Sequence, residues 1–553
     1  MKLPNNRNLF TGDSTYLFFE PEVYNPGGGS YTARVFHDHI DVLADAGFDT
    51  YLCNPQAQGN WWPSKRTPSI FEGYRRGDRE FVRRQAACDG VTGSPEAVEA
   101  HIDLLIDGAN RYLDLLEAGV DWPAELARAC RRRGVAPWVT VRMNDVHACT
   151  DPESFINCPP FRDADNRLRG QWTGTWPGGA PRNWLYFAGL NYEKPAVRDF
   201  IFTVITELVE EYDFEGLELD WLRNPICCEP TASRRAIEMM IDFHRQIREL
   251  TRERGKRRGR HYALGLRLPP NFGLLRDIGL DIEGIVEADL IDFLSISNFW
   301  QTSWDLPYDR YRAAFGDDLM LYGVIEAAPN WVYGCDPETG DRGARLMPIS
   351  PEFQRGNAAG KLVMGVDGLE YFNFFARDTR FRSKGKPLWD YSVVADLPHL
   401  DRLRGAPKNY TFSTMFGDCW IPPFEAPEQL PVVLEPRWRR QFRLSMAAEP
   451  ATCSDLFIHV VYERRKEAPD LSVSFNDGWP NHDGRPTDAL ISPAGRYTHH
   501  LPEHPALVFR FDPARIRDGW NEVMLLNNCM LGGTPAERQL HAVHIVSLEL
   551  AIR

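Results

Sequence analysis

Glu218 and Asp220 stand two residues apart in the run Phe214-Glu215-Gly216-Leu217-Glu218-Leu219-Asp220-Trp221-Leu222-Arg223-Asn224-Pro225. A strand alternates faces with period two, so both acids point to one side and Leu217, Leu219 and Trp221 to the other. Putting two acids on one buried face is costly, and chains that do so usually have chemistry to perform. Paired carboxylates suit glycosidic bond cleavage, in which one group protonates the leaving oxygen and a second acts as nucleophile or activates water. Asp220, at the strand end, is the first candidate. Glu218 lies one pleat deeper, about 7 Å, where it could pair with Arg142 or Arg267.

The partner carboxylate is expected on another strand end, and Glu326 closes the apolar run Leu321-Tyr322-Gly323-Val324-Ile325-Glu326. Other strand ends supply Arg142, Asn144, Asp145, His147, Arg223, Arg267, Asn298, Trp300, Glu370 and Asn373. Acids, amides, arginines and rings gathered on one rim fit a polyhydroxylated ligand: polar groups take its hydroxyls, and rings take its apolar faces. The segments after the second and third strands, residues 54 to 94 and 144 to 192, are long and carry Trp61, Trp62, Trp172 and Trp176. Loops of that length inside a compact domain usually form lids or binding walls, so Trp62 and Trp172 are read as sugar platforms, with buried loop anchors as the competing reading.

These residues need a scaffold that brings many strand ends together. Eight strand candidates precede helical sequence: Thr15–Val23, Asp49–Cys53, Pro137–Met143, Gly216–Trp221, Tyr262–Arg267, Ile291–Ser297, Met320–Ile325 and Leu369–Phe374. Helical periodicity follows at Tyr31–Ala46, at Pro95–Gly134 with a break at Pro123, at Pro195–Tyr212 and at Ala232–Arg254. Eight such units predict a closed (β/α)8 barrel, an α/β fold, over residues 1–400 with its site at the C-terminal rim. The fourth and seventh strands would face each other across it. No strand is followed by a dinucleotide or P-loop glycine pattern. From about residue 405 short alternating runs take over, Leu456–Tyr462, Leu471–Phe475, Ala506–Phe511, Asn521–Leu526 and Val543–Ile552, separated by Asn-Asp-Gly and Arg-Asp-Gly-Trp turns. They predict a β-sandwich over 405–553, an accessory domain that binds glycan, packs on the barrel or supports a homo-oligomer.

Composition narrows the partners. The 553 residues are 43% hydrophobic and include 16 Trp, enough for a large core and more than one domain. A formal net charge of -14 argues against nucleic acid and against an anionic membrane surface as partner. The eleven cysteines, with Cys227-Cys228 adjacent, show neither a disulfide framework nor zinc spacing. His37 and His39 have the HxH form but fall within a helix, where residues two apart do not share a face. No metal and no cofactor are expected. Met1 to Phe10 is polar and no apolar stretch is long enough to span a bilayer, so a cytoplasmic location is expected.

Three segments together, Val141–His147, Tyr212–Arg223 and Val366-Asp367-Gly368-Leu369-Glu370-Tyr371-Phe372-Asn373-Phe374-Phe375, resemble those of bacterial family 10-like glycosyl hydrolases, over residues 15 to 400 with a following β-rich domain. The resemblance implies a TIM barrel and a carbohydrate substrate. The fourth strand is also similar to the Asp-Gly-φ-x-φ-Asp signature of glycoside hydrolase barrels. Chitinase-type barrels carry a catalytic glutamate two residues beyond the final aspartate, where this chain has Leu222. In α-retaining clans the fourth-strand aspartate is the nucleophile, whereas β-retaining barrels end that strand in Asn-Glu and place a nucleophilic glutamate on strand seven, as Glu326 would fit. The roles of Asp220 and Glu326 are therefore left open. Two other readings stand beside hydrolysis: a uronate-directed lyase using His147 or a tyrosine as base and Arg142, Arg223 and Arg267 as carboxylate binders, and a non-catalytic glycan-binding barrel.

Overall fold

The computed structural model describes residues 3–19, 25, 30–88, 94–146, 149, 151–169, 189–229, 231–298, 302–326, 331–335, 342–346, 349–372, 374, 390–412, 415–416, 429–491, 504–530 and 534–553. They fall into two compact units, one within 1–299 and 317–322, the other within 300–316, 323–419 and 426–553.

In chain order the strands of the first half are β1 (Arg7–Asp13), β2 (Thr50–Asn54), β3 (Ala136–Arg142), β4 (Gly216–Asp220), β5 (Ala263–Leu268), β6 (Phe293–Ile296), β7 (Met320–Glu326), β8 (Trp331–Cys335), β9 (Arg342–Leu346) and β10 (Gly368–Phe372). β8 and β9 form an antiparallel pair, and the other eight close into a barrel in the order β1-β10-β7-β6-β5-β4-β3-β2. Pairing from β1 through β6 is parallel throughout. β7 lies three places from β4 in that closed order, so the expectation that the fourth and seventh strands face each other is corrected.

The first strand is also corrected. Residues Thr15–Phe19, expected as strand, fall in a short helix, Ser14–Phe19, that buries Leu17, Phe18 and Phe19, and the strand is the preceding Arg7–Asp13. Contiguous apolar side chains from Tyr16 to Phe19 find partners on every side of one helical turn: Phe18 stacks with Trp61 at 6.1 Å and meets Tyr112 and Trp122 edge-on. The remaining barrel strands fall within two residues of their expected bounds.

At the N-terminal end of the strands Leu9, Leu52, Trp138, Ala263, Phe293, Met320 and Tyr322 form one apolar plug. Trp138 and Phe293 stack at 5.1 Å. Gly216 makes room for this, since a Cβ there would lie 2.4 Å from the Trp138 ring. Helices start where caps dictate: Ser94, Ser233 and Ser350 each accept a hydrogen bond from the backbone N–H three residues on. The break near Pro123 is real, separating Pro95–Glu117 from Trp122–Arg133. Among the described residues no helix is long and apolar enough to cross a membrane.

The second unit contains β11 (Lys408–Thr411), β12 (Met415–Phe416), β13 (Val432–Leu434), β14 (Arg439–Met446), β15 (Leu456–Tyr462), β16 (Leu471–Phe475), β17 (His482–Thr487), β18 (Ala506–Phe511), β19 (Gly519–Asn527) and β20 (Val543–Ile552). One sheet runs β11-β20-β15-β18-β17 with β13 also on β20, and another runs β14-β19-β16. All ladders in these two sheets are antiparallel. Inward residues of both sheets meet, as in the Phe475–Phe511 ring contact at 6.0 Å. All five expected strand runs are present here.

Candidate active site

The ends of β3, β4 and β5 are in register, with Arg142 beside Asp220 and Asp220 beside Arg267. Alternation sends all three side chains to the same face, as it does Glu218 one step below. Arg267 Nη1 lies 3.6 Å from Asp220 Oδ2, and Asp220 Oδ1 accepts from the Leu222 backbone N–H at 3.0 Å. Arg142 pairs with Asp13 at the end of β1 and with Asp145 Oδ2 at 3.2 Å, and Arg223 Nε lies 3.9 Å from the same oxygen. Glu218 accepts from the Thr140 hydroxyl at 2.8 Å. Seven ionisable groups, Asp13, Arg142, Asp145, Glu218, Asp220, Arg223 and Arg267, are each less than 10% exposed. Four are carboxylates and three guanidiniums.

Burial by itself would weaken the Arg142 guanidinium as a base, but Asp13, Asp145 and Asp220 raise it above the ordinary arginine value. Arg223 goes the other way: burial and the neighbouring Arg142 charge pull it down, against the pull of Asp145 and Asp13. A charged row kept this dry is expensive to fold.

Asp13 was not foreseen, because the expected first strand began after it. Its signal was the run Leu9-Phe10-Thr11-Gly12-Asp13, an acid closing a short apolar stretch as Asp220 does. Asn144 sits beside the row but is fully engaged in bracing loops: its amide donates to the carbonyls of Leu190 at 3.0 Å and Ile226 at 2.7 Å, and its oxygen accepts from Leu190 N at 2.8 Å. Asn298 is buried just beyond β6. His147, Trp172, Trp176, Trp300 and Asn373 lie outside the described residues.

Trp62, read as a sugar platform, is corrected: it is 0% exposed, and Trp61 is 5% exposed. Both indoles face inward because the loop they belong to is tied down around them. Trp61 stacks on Phe18 and its carbonyl accepts from Trp122 Nε1 at 2.8 Å, while Lys65 N donates to the buried Glu207 at 2.8 Å. The same loop reaches the charged row through Gln58, whose amide donates to the Asp145 carbonyl at 2.8 Å.

Glu326 belongs to the other unit, where its side chain is buried. Its backbone is gripped on both sides by Thr302, whose hydroxyl accepts from Glu326 N at 2.8 Å and donates to Glu326 O at 2.9 Å.

Among the described residues no group of three or more His, Cys, Asp and Glu side chains is placed to hold a metal ion. His39 packs edge-on to Phe10 and is pulled down to about 3 by burial, while His37 pairs with Glu125 at 2.6 Å.

No protein-family model matches the chain, and no curated protein matches it. The resemblance to family 10-like glycosyl hydrolases gains no support from those comparisons. Solved structures do match over long stretches. An alpha-amylase from Geobacillus thermoleovorans complexed with acarbose aligns over 97% of this chain and 100% of its own at 10% identity, with a TM-score of 0.38. Alpha-L-fucosidase isoenzyme 2 from Paenibacillus thiaminolyticus covers 73% of this chain and 51% of its own at 11% identity, TM-score 0.38. An Anoxybacillus alpha-amylase covers 95% and 98% at 11% identity, TM-score 0.35. The functional reading therefore rests on the site's own residues.

Proposed function

We propose that this protein is a glycoside hydrolase that cleaves an oligo- or polysaccharide without a cofactor, using Asp220 and Glu326. The observation that carries the reading is the buried charged row with Asp220 at its centre, at the C-terminal ends of barrel strands, where barrel enzymes build their sites. Glycosidic cleavage needs one proton donor and one nucleophile or base, and Asp220 and Glu326 would share those two roles.

The same row disfavours the uronate lyase. Arg142 is committed to Asp13 and Asp145, Arg223 stands 3.9 Å from Asp145, and Arg267 stands 3.6 Å from Asp220. A substrate carboxylate would meet guanidiniums already neutralised by the chain. A panel of neutral and acidic glycans incubated with the full-length protein and read by mass spectrometry tests the proposal: products should sum to the substrate plus one water per bond cleaved. Products lacking that water and absorbing in the ultraviolet would indicate elimination, and binding without turnover would indicate a lectin-like barrel.

A further inference from the structure

The helix Pro351–Val363 packs an unusual polar stripe inward. Gln354, Asn357 and Lys361, spaced to share one face, are all buried, with Lys361 2% exposed. The Lys361 ammonium donates to the Val324 carbonyl at 2.8 Å, to the Ser303 carbonyl at 3.2 Å and to Asn357 Oδ1. Asn357 in turn donates to the same Ser303 carbonyl at 3.0 Å. Room for the lysine is made on the strand: a Cβ at Gly323 would lie 2.6 Å from Lys361 Cδ.

These contacts converge on one backbone. Val324 is two residues before Glu326, and Ser303 follows Thr302, whose hydroxyl both accepts from and donates to the Glu326 backbone. We propose that Lys361 is a positioning residue for Glu326, its ammonium tying the end of β7 to the Thr302–Ser303 segment so that the glutamate is held at a fixed height and angle.

The proposal rests on the reading of Glu326 given above. Burying an ammonium costs free energy that a methionine of similar length would not incur. What the ammonium adds is three fixed hydrogen-bond directions, one for each acceptor found here. Burial draws Lys361 down to about 7, opposed by the Asp305 carboxylate. Supporting groups of this kind set catalytic geometry, and a misplacement of about 1 Å can cost on the order of a hundredfold in rate.

The test uses the full chain and the substrate that turns over in the glycan panel, with Lys361→Met, Thr302→Val, their double variant and Glu326→Gln assayed well below their melting transitions. Lys361→Met and Thr302→Val should each lower kcat at least about tenfold with KM within about twofold. The double variant should be no worse than the poorer single, because both cut one tether. Parent kcat in folded Lys361→Met beside an inactive Glu326→Gln would overturn the tether while leaving Glu326 in place, as would fully additive losses. Should Lys361→Met fail to fold, parent kcat in Thr302→Val overturns it equally. Parent turnover in Glu326→Gln removes the catalytic reading of Glu326, and the proposal with it.

Discussion

The guanidinium of Arg142, at the end of the third barrel strand, is paired with the carboxylate of Asp13, at the end of the first, and its other nitrogen reaches Asp145 at 3.2 Å. One buried arginine therefore serves two buried acids, the second of which also has Arg223 Nε 3.9 Å from its Oδ2. Removing one partner of such a set leaves an uncompensated buried charge, which costs more than the pair itself contributes. Arg142→Met should lower stability by about 3 to 5 kcal/mol, measured by urea unfolding at neutral pH. A loss below about 1 kcal/mol, the level of an exposed pair, would mean that Asp13 and Asp145 are solvated or protonated in the folded chain.

Trp62 gives a second test, on the loop that follows β2. Its indole is 0% exposed, so Trp62→Ala should cost about 3 to 5 kcal/mol through lost burial and a residual cavity. A calorimetric melt beside a saccharide titration reads both quantities. An unchanged melting temperature with weakened binding would restore the platform reading.

Much of this architecture was legible in the sequence, and the exceptions have physical causes. Glu218 and Asp220 were placed on one face by period two alone, and the strand ends bearing Arg142 and Arg267 followed from the same alternation. Asp13 was missed because two short apolar runs compete for one strand, and only the packing of Phe18 against Trp61 and Trp122 makes the second a helix. Trp61 and Trp62 carry the same local signal whether they face a sugar or the core. Lys361 reads as an ordinary surface lysine until Gly323, nearly forty positions earlier in the chain, is seen to leave space for it.

A pH-dependent anchor lies between β5 and β6. Asp292 takes two hydrogen bonds from Arg248, both 2.8 Å, one from Leu264 N at 2.8 Å, and lies 3.1 Å from His261 Nε2. Burial would raise its carboxyl, but His261 and Arg248 hold it down at about 2. A folded value below the unfolded one of about 3.9 means stability that is fully present above about pH 4 and is lost as pH falls through about 2. Asp292→Asn should therefore cost about 2 kcal/mol at neutral pH from ionisation alone, with the difference from the parent shrinking between pH 4 and 2. A difference that stays constant over that interval would show that packing, not charge, carries the contribution.

Glu326→Gln should lower kcat at least about a hundredfold, the scale of a lost acid/base group. Steady-state kinetics on the same substrate check this, and a change confined to KM would assign Glu326 to substrate binding instead.

In the proposed function Asp220 performs the chemistry. Asp220→Asn keeps the side chain's shape, and the buried row then holds three carboxylates, Asp13, Asp145 and Glu218, against three guanidiniums, Arg142, Arg223 and Arg267, so the fold should survive. The most direct measurement is kcat of this variant on the glycan that the parent cleaves, taken beside its near-ultraviolet circular dichroism. Asp220→Asn should lose at least about a thousandfold in kcat with the parent spectrum retained; turnover within about threefold of the parent would remove Asp220 from the chemistry.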